Sequence, residues 1–220
     1  LKECLNALSI TPTDDFIDAV AEVGAAMHEA PPWRTLVHFD AGPHNCIQNE
    51  TALKLLDFEF AGIGNGLIDL VGPRMAFPSA HRGGRIPNAV AEKVESGYQA
   101  ERANSVPLAA KDSIFRSALT QACAHWALVK LWAFWQDYLH DRLAQGVNYE
   151  TREGRTPERA DYFRQMIFTY LLSFTETAVE WEQMLALRTV IQQVMDALQA
   201  HWPDLGPWPL YPAFQESPQP

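Results

Sequence analysis

The chain has 220 residues, 47% of them hydrophobic, and a formal net charge of −10. That length and apolar content allow one large domain or two small ones with a real core, and they exclude disorder over most of the chain. An acidic chain with no basic stripe does not suit nucleic acid; the charge is compatible with a cationic small substrate, and ordinary solubility explains it equally well. Cys4, Cys46 and Cys123 lie far apart and form no CxxC pair. They argue against a disulfide scaffold or structural zinc and for a reducing cytoplasmic setting. No apolar run reaches the length of a membrane span, no signal peptide is visible, and the first residue is Leu1 rather than methionine.

Thr13 reads as an N-cap followed by Asp14 and Asp15 at the positive end of a helix, with Phe16, Ile17, Val20, Val23, Ala26 and Met27 at helical spacing. Pro31 and Pro32 stop that helix. Thr35-Leu36-Val37 reads as a short strand that runs into a polar loop, His38 to Asn45. Cys46-Ile47-Gln48 is a second strand, Asn49-Glu50 a turn, and Leu53 to Leu56 a third strand that ends at Asp57. Two polar loops are thus delivered to what can be one place. After Gly62, Gly64 and Gly66 the pattern turns helical, with helices expected over 67–77, 88–102, 111–144, 157–185 and 188–201. The polar stretch 145–156 is a connector. The proline-rich tail cannot be a regular helix and packs through its aromatics or stays loose. The aromatics of the long helix (Phe115, Trp126, Trp132, Phe134, Trp135 and Tyr138) read as core rather than as a cofactor box, and His125 and His140 as structural. Arg74, His81, Arg82 and Arg85 read as solvated loop residues rather than anion contacts.

The chemistry concentrates in His38-Phe39-Asp40-Ala41-Gly42-Pro43-His44-Asn45, followed 12 residues past Asn45 by Asp57-Phe58-Glu59. H-x-D-x-x-x-x-N, then a strand, then D-F-x is a compound signal whose halves are each weak alone. Phosphoryl transfer needs an acceptor hydroxyl held in line with the γ-phosphate and cations to neutralise phosphate charge. Asp40 is placed to accept the hydroxyl proton. The amide oxygen of Asn45 and the carboxylate of Asp57 are hard ligands of the kind magnesium takes. His38 is a support residue that bonds backbone or the metal loop. Glu59 is a weaker candidate for holding a metal or a cationic group. A competing pattern, a hydrolytic metal cluster of His38, Asp40, His44 and Asp57, fits metal-ligand spacing only loosely.

From Thr35 to Leu70 the chain resembles the aminoglycoside phosphotransferase and choline kinase superfamily, whose fold is similar to that of protein kinases. The family's catalytic loop typically reads H-G-D-x-x-P-x-N, and this chain has HFDAGPHN. The family's metal loop often reads I-D-F-E-x-A-G-x-G-D-P-x-x-D-L, and this chain has LDFEFAGIGNGLIDL. The resemblance implies Asp40 as catalytic base with His38 beside it, Asn45 and Asp57 as magnesium ligands, and Asp69 as the acidic residue that braces the catalytic loop. Taken alone, Asp69 reads equally as a helix-cap or surface aspartate. Phe39 departs from the family's usual small or polar residue, and Ala41-Gly42 from a bulkier pair.

The fold class expected is α+β, predominantly α: a kinase-like C-terminal lobe over 1–205, with catalytic and metal loops at 34–60, a helical subdomain at 66–202 and a proline-rich tail at 206–220. The function implied is ATP-dependent phosphotransfer to a small hydroxylated substrate, with Mg2+ and ATP or another nucleoside triphosphate as cofactors. No nucleic-acid or membrane partner is expected. The glycine-rich loop, strand lysine and partnering glutamate of an N-terminal lobe are not found before His38. That lobe is expected upstream or in trans; the alternative is a kinase-derived binding or scaffold module without catalysis.

Overall fold

The structure, a computed structural model, describes residues 1–29, 31–77, 84–135 and 157–215. It is mostly helical with a few short antiparallel strands, as the α+β expectation requires. In chain order the elements are α1 (Lys2–Ala7), α2 (Asp14–Glu29), β1 (Arg34–Val37), β2 (Cys46–Gln48), β3 (Leu53–Leu55), β4 (Gly62–Asn65), α3 (Leu67–Leu70), α4 (Asn88–Ser105), α5 (Asp112–Phe134), α6 (Pro157–Thr177) and α7 (Leu185–His201). No helix among the described residues is long and apolar enough to cross a membrane. The chain forms two compact units, Leu1–Val23 with Ala124–Trp208, and Gly24–Cys123 with Pro209–Pro220.

In the first unit, the Thr13 hydroxyl caps α2 by accepting from the Phe16 N–H at 3.2 Å. Phe16, Leu131, Ile167, Leu171, Phe174, Leu187, Ile191 and Val194 are buried here, the apolar stripes of amphipathic helices. The helix expected over 157–185 instead ends at Thr177. From α7, Arg188 Nη1 donates to the carbonyl of Val179 at 2.8 Å, satisfying a backbone acceptor just beyond that end. Arg164 is buried against Asp161, with its guanidinium 4.7 Å from the Trp202 ring centre. The part of the tail that enters this unit does pack by its aromatic: Trp208 is buried, its N–H donates to Thr169 Oγ1 at 2.8 Å, and its ring lies 4.8 Å from Tyr162.

The second unit holds the four strands found among the described residues. β1 pairs antiparallel with β4, in the register Arg34↔Asn65 to Val37↔Gly62, and β2 pairs antiparallel with β3, from Cys46↔Leu55 to Gln48↔Leu53. β4 was not anticipated, because Gly62-Ile63-Gly64-Asn65 carries turn residues. Its alternation explains the strand: Gly62 and Gly64 share one face and Ile63 the other. A Cβ at Gly64 would lie 3.1 Å from Phe39 Cζ and 3.4 Å from Val37 Cγ2. At Gly66 a Cβ would lie 2.7 Å from both Thr35 Cγ2 and Tyr98 Oη. Trp33, Phe115 and Tyr98 build the aromatic part of this core, with Trp33 and Phe115 edge to face at 5.8 Å. Arg102 of α4 donates to the carbonyls of Pro32 and Arg34, fixing the entry to β1.

Several expectations are corrected. The helix expected over 67–77 ends at Leu70 and continues as turns, since Gly72-Pro73 breaks the helical ladder. Arg74 is not a solvated loop residue. Its Nε lies 2.5 Å from Glu95 Oε1 and its Nη2 2.7 Å from Oε2, and Glu95 is buried. Burial works against the guanidinium's charge, but the bonds to Glu95 outweigh it and hold the group above its ordinary value. Trp132 is 64% exposed, whereas Phe115 and Trp135 are buried as expected. His81, Arg82, Tyr138, His140 and the connector 145–156 lie outside the described residues.

Two substitutions test this packing. Gly66→Ala forces Thr35 and the rigid Tyr98 ring apart and should lower unfolding free energy by about 1–3 kcal/mol in chemical denaturation. Glu95→Ala leaves the Arg74 guanidinium buried without its carboxylate and should cost about 3–5 kcal/mol in the same measurement; a loss below about 1 kcal/mol would show that the pair is not truly desolvated.

Candidate functional site

The polar loop begins where β1 ends. Val37 is fully buried and His38 nearly so, which pins the start of the loop in the core. Asp69, from the single turn of α3, receives the N–H of His38 on Oδ2 at 2.6 Å and the N–H of Phe39 on Oδ1 at 2.9 Å. One carboxylate thereby holds two successive backbone donors and sets the direction of the loop. Burial pushes the Asp69 carboxyl above its ordinary value; the two N–H bonds pull it back only in part, and the Asp40 carboxylate adds a further upward push.

His38 ties this loop to the next one. Its Nδ1 accepts the Asp40 N–H at 3.3 Å, and its Nε2 lies 2.7 Å from the Leu56 carbonyl. A backbone N–H can only donate and a carbonyl can only accept, so Nε2 carries the ring hydrogen. The ring also lies 4.6 Å from that of Phe58. With both nitrogens engaged by backbone, His38 has none to give a metal. Among the described residues no group of three or more His, Cys, Asp or Glu side chains is placed to hold a metal ion. The hydrolytic-cluster pattern is therefore not realised.

Asp40 and Asn45 meet directly. Asn45 is buried, and its Nδ2 donates to Asp40 Oδ2 at 2.9 Å and to the Asp40 carbonyl at 3.0 Å. Since the nitrogen end of the amide is fixed there, the oxygen end faces the other way. The 3-10 turn Pro43–Asn45 is closed by the Asn45 N–H bonding to the Gly42 carbonyl, and Cys46 Sγ also donates to that carbonyl. The Asn45 carbonyl accepts the Leu56 N–H at 2.9 Å, one step beyond the Cys46↔Leu55 pair. That bond brings Asp57 to the same end of the β2–β3 hairpin as Asn45. Asp57 is exposed and has φ 62°. An exposed carboxylate and an amide oxygen at one hairpin end are hard donors that fit magnesium, which keeps several of its ligands as water or phosphate.

Phe39 has φ 63°, the left-handed region that disfavours any side chain. Such backbone costs on the order of 1–3 kcal/mol and gathers at functional sites. Here the Asp69 bond to the Phe39 N–H and the ring's seat over Gly64 hold it. Glycine takes this conformation freely, so the aromatic at position 39 stands where a residue without Cβ would be unstrained. His44 Nε2 lies 3.2 Å from Asp40 Oδ2, a contact outside the metal-cluster pattern. The D-x-x-x-H spacing was the available signal.

The Asp69 shift has a signed consequence. A folded carboxyl value above the unfolded one means that the native state holds the proton more firmly. This contribution to stability is complete below the ordinary aspartate range and is lost as pH rises through the folded value. Carbon NMR should place the Asp69 midpoint above ordinary aspartates. The stability of wild type relative to Asp69→Asn should decline as pH rises through that window; a flat difference would contradict the shift. Comparison with protein-family models and with curated proteins gave no match to this chain.

Proposed function

We propose that this chain carries the acceptor-and-metal half of an ATP-dependent phosphotransferase acting on a hydroxyl of a small molecule, in a kinase-like C-terminal lobe. The observation that carries the reading is the bond from Asn45 Nδ2 to Asp40 Oδ2 in a loop braced by Asp69 and tied by His38 to the residue before Asp57. A base, a metal-binding amide and a metal-binding carboxylate are thereby coupled in one rigid unit. Asp40 accepts the proton of the acceptor hydroxyl; Asn45 and Asp57 hold Mg2+; Asp69 and His38 position the loop. Bound magnesium supplies charge neutralisation on the nucleotide phosphates. Asn45 Nδ2 and His44 Nε2 both reach Oδ2 and orient the Asp40 carboxylate.

The nucleotide-covering lobe is expected upstream or in trans. Support comes from exposed apolar side chains on the strands and the turn after Asp57. Leu36 and Ile63 are cross-strand neighbours and are 61% and 64% exposed, and Ile47, Leu53, Phe58 and Phe60 are exposed as well. Exposed apolar side chains on both sheets are what a contact face would present. The dispersed cysteines Cys4, Cys46 and Cys123 fit a cytoplasmic setting.

In the complete protein, with Mg–ATP and a panel of hydroxylated acceptors, Asp40→Asn should lower kcat about 10²–10⁴-fold while the melting transition survives. Unchanged turnover removes Asp40 as the base. Absence of magnesium-dependent nucleotide binding by calorimetry would favour the non-catalytic module instead.

A further inference from the structure

The two oxygens of Asp40 are not equivalent. Oδ1 is buried, so an acceptor hydroxyl must approach Oδ2. That oxygen already carries two donors, Asn45 Nδ2 at 2.9 Å and His44 Nε2 at 3.2 Å. Two donors engage the two lone pairs of a carboxylate oxygen. A third donor therefore takes the place of one of them.

The two donors differ in how firmly they are held. The Asn45 side chain is buried and its nitrogen is anchored a second time on the Asp40 carbonyl at 3.0 Å. His44 makes the longer contact, and its side chain is 38% exposed against 20% for Asp40. An exposed imidazole–carboxylate contact is weak because water competes for both partners. The His44 position is the one that yields.

We propose that His44 is a displaceable cap on the catalytic base: it occupies the acceptor position on Asp40 Oδ2 until an acceptor hydroxyl replaces it. This rests on the reading of Asp40 as the base. In the capped state the imidazole N–H orients the carboxylate and shields it. On substrate entry the hydroxyl donates to Oδ2 in its stead, and Asn45 remains in place throughout. His44 is thus a positioning residue that sets how strongly a hydroxyl must bind in order to reach the base. It selects for acceptors that bring other contacts.

Two measurements on the complete protein decide it. Nitrogen NMR of the labelled imidazoles should show hydrogen on His44 Nε2 and a signal that moves in Asp40→Asn. An unprotonated Nε2, or a signal indifferent to Asp40→Asn, overturns the cap whether or not the protein transfers phosphate. In acceptor kinetics with saturating Mg–ATP, His44→Ala should lower the acceptor KM by about two- to fivefold, the worth of an exposed contact to a carboxylate. His44→Gln, which keeps a donor, should restore the wild-type value. A KM that is unchanged or raised in His44→Ala, or lowered equally in both variants, overturns the proposal. Absence of any transfer by wild type would sink the phosphotransferase reading, and the NMR result would still decide the contact.

Discussion

A single carboxylate organises the loop that follows β1. Asp69 sits in a helix of one turn, and its two oxygens take the N–H groups of two consecutive residues, His38 and Phe39. Phe39, whose N–H takes the second of these bonds, has a positive φ. The brace thus acts on the residue that carries the strain. Remove the carboxylate and two partly buried donors lose their acceptor, a penalty of about 1–3 kcal/mol each. The conformation that aims Asp40 then has little to hold it.

From this brace the order spreads outward through hydrogen bonds that each have a fixed direction. Asp69 sets His38, and the two ring nitrogens of His38 bond the Asp40 N–H and the Leu56 carbonyl. Leu56 in turn donates to the Asn45 carbonyl, and Asn45 donates to Asp40. The circuit closes on itself within one unit of the chain. A closed circuit of this kind is stiffer than its separate bonds because each member fixes the geometry of the next. It also explains how loops that lie apart in sequence share one location on strands of only three or four residues.

Much of this was legible in the sequence, and the reasons differ by element. The ends of α2 were readable because Thr13 and the Pro31-Pro32 pair act locally, through capping and a missing donor. β2 was readable from a turn signal flanked by apolar residues. That the two polar loops around His38, Asp40, Asn45 and Asp57 meet was readable because short strands flank them, and the His38–Leu56 and Asn45–Asp40 bonds join them. β4 was hidden because its glycines serve the ring of Phe39, a neighbour distant in sequence that a local pattern does not contain. Arg74 was misread for the same reason, since its partner Glu95 lies 21 residues away on another element. The contact between His44 and Asp40 is local, but its meaning depends on which carboxylate oxygen is buried, and that is set by tertiary packing.

The seat of Phe39 over Gly64 constrains the order in which this site can change. A side chain at position 64 meets the ring at 3.1 Å, so the ring must give by a few tenths of an ångström unless position 39 has lost its aromatic. The reverse order meets no such obstacle, because trimming residue 39 opens space and, with glycine, relaxes the left-handed backbone. The two positions therefore show order-dependent epistasis. Paths that begin at the loop are open, and paths that begin at the strand must first displace the ring.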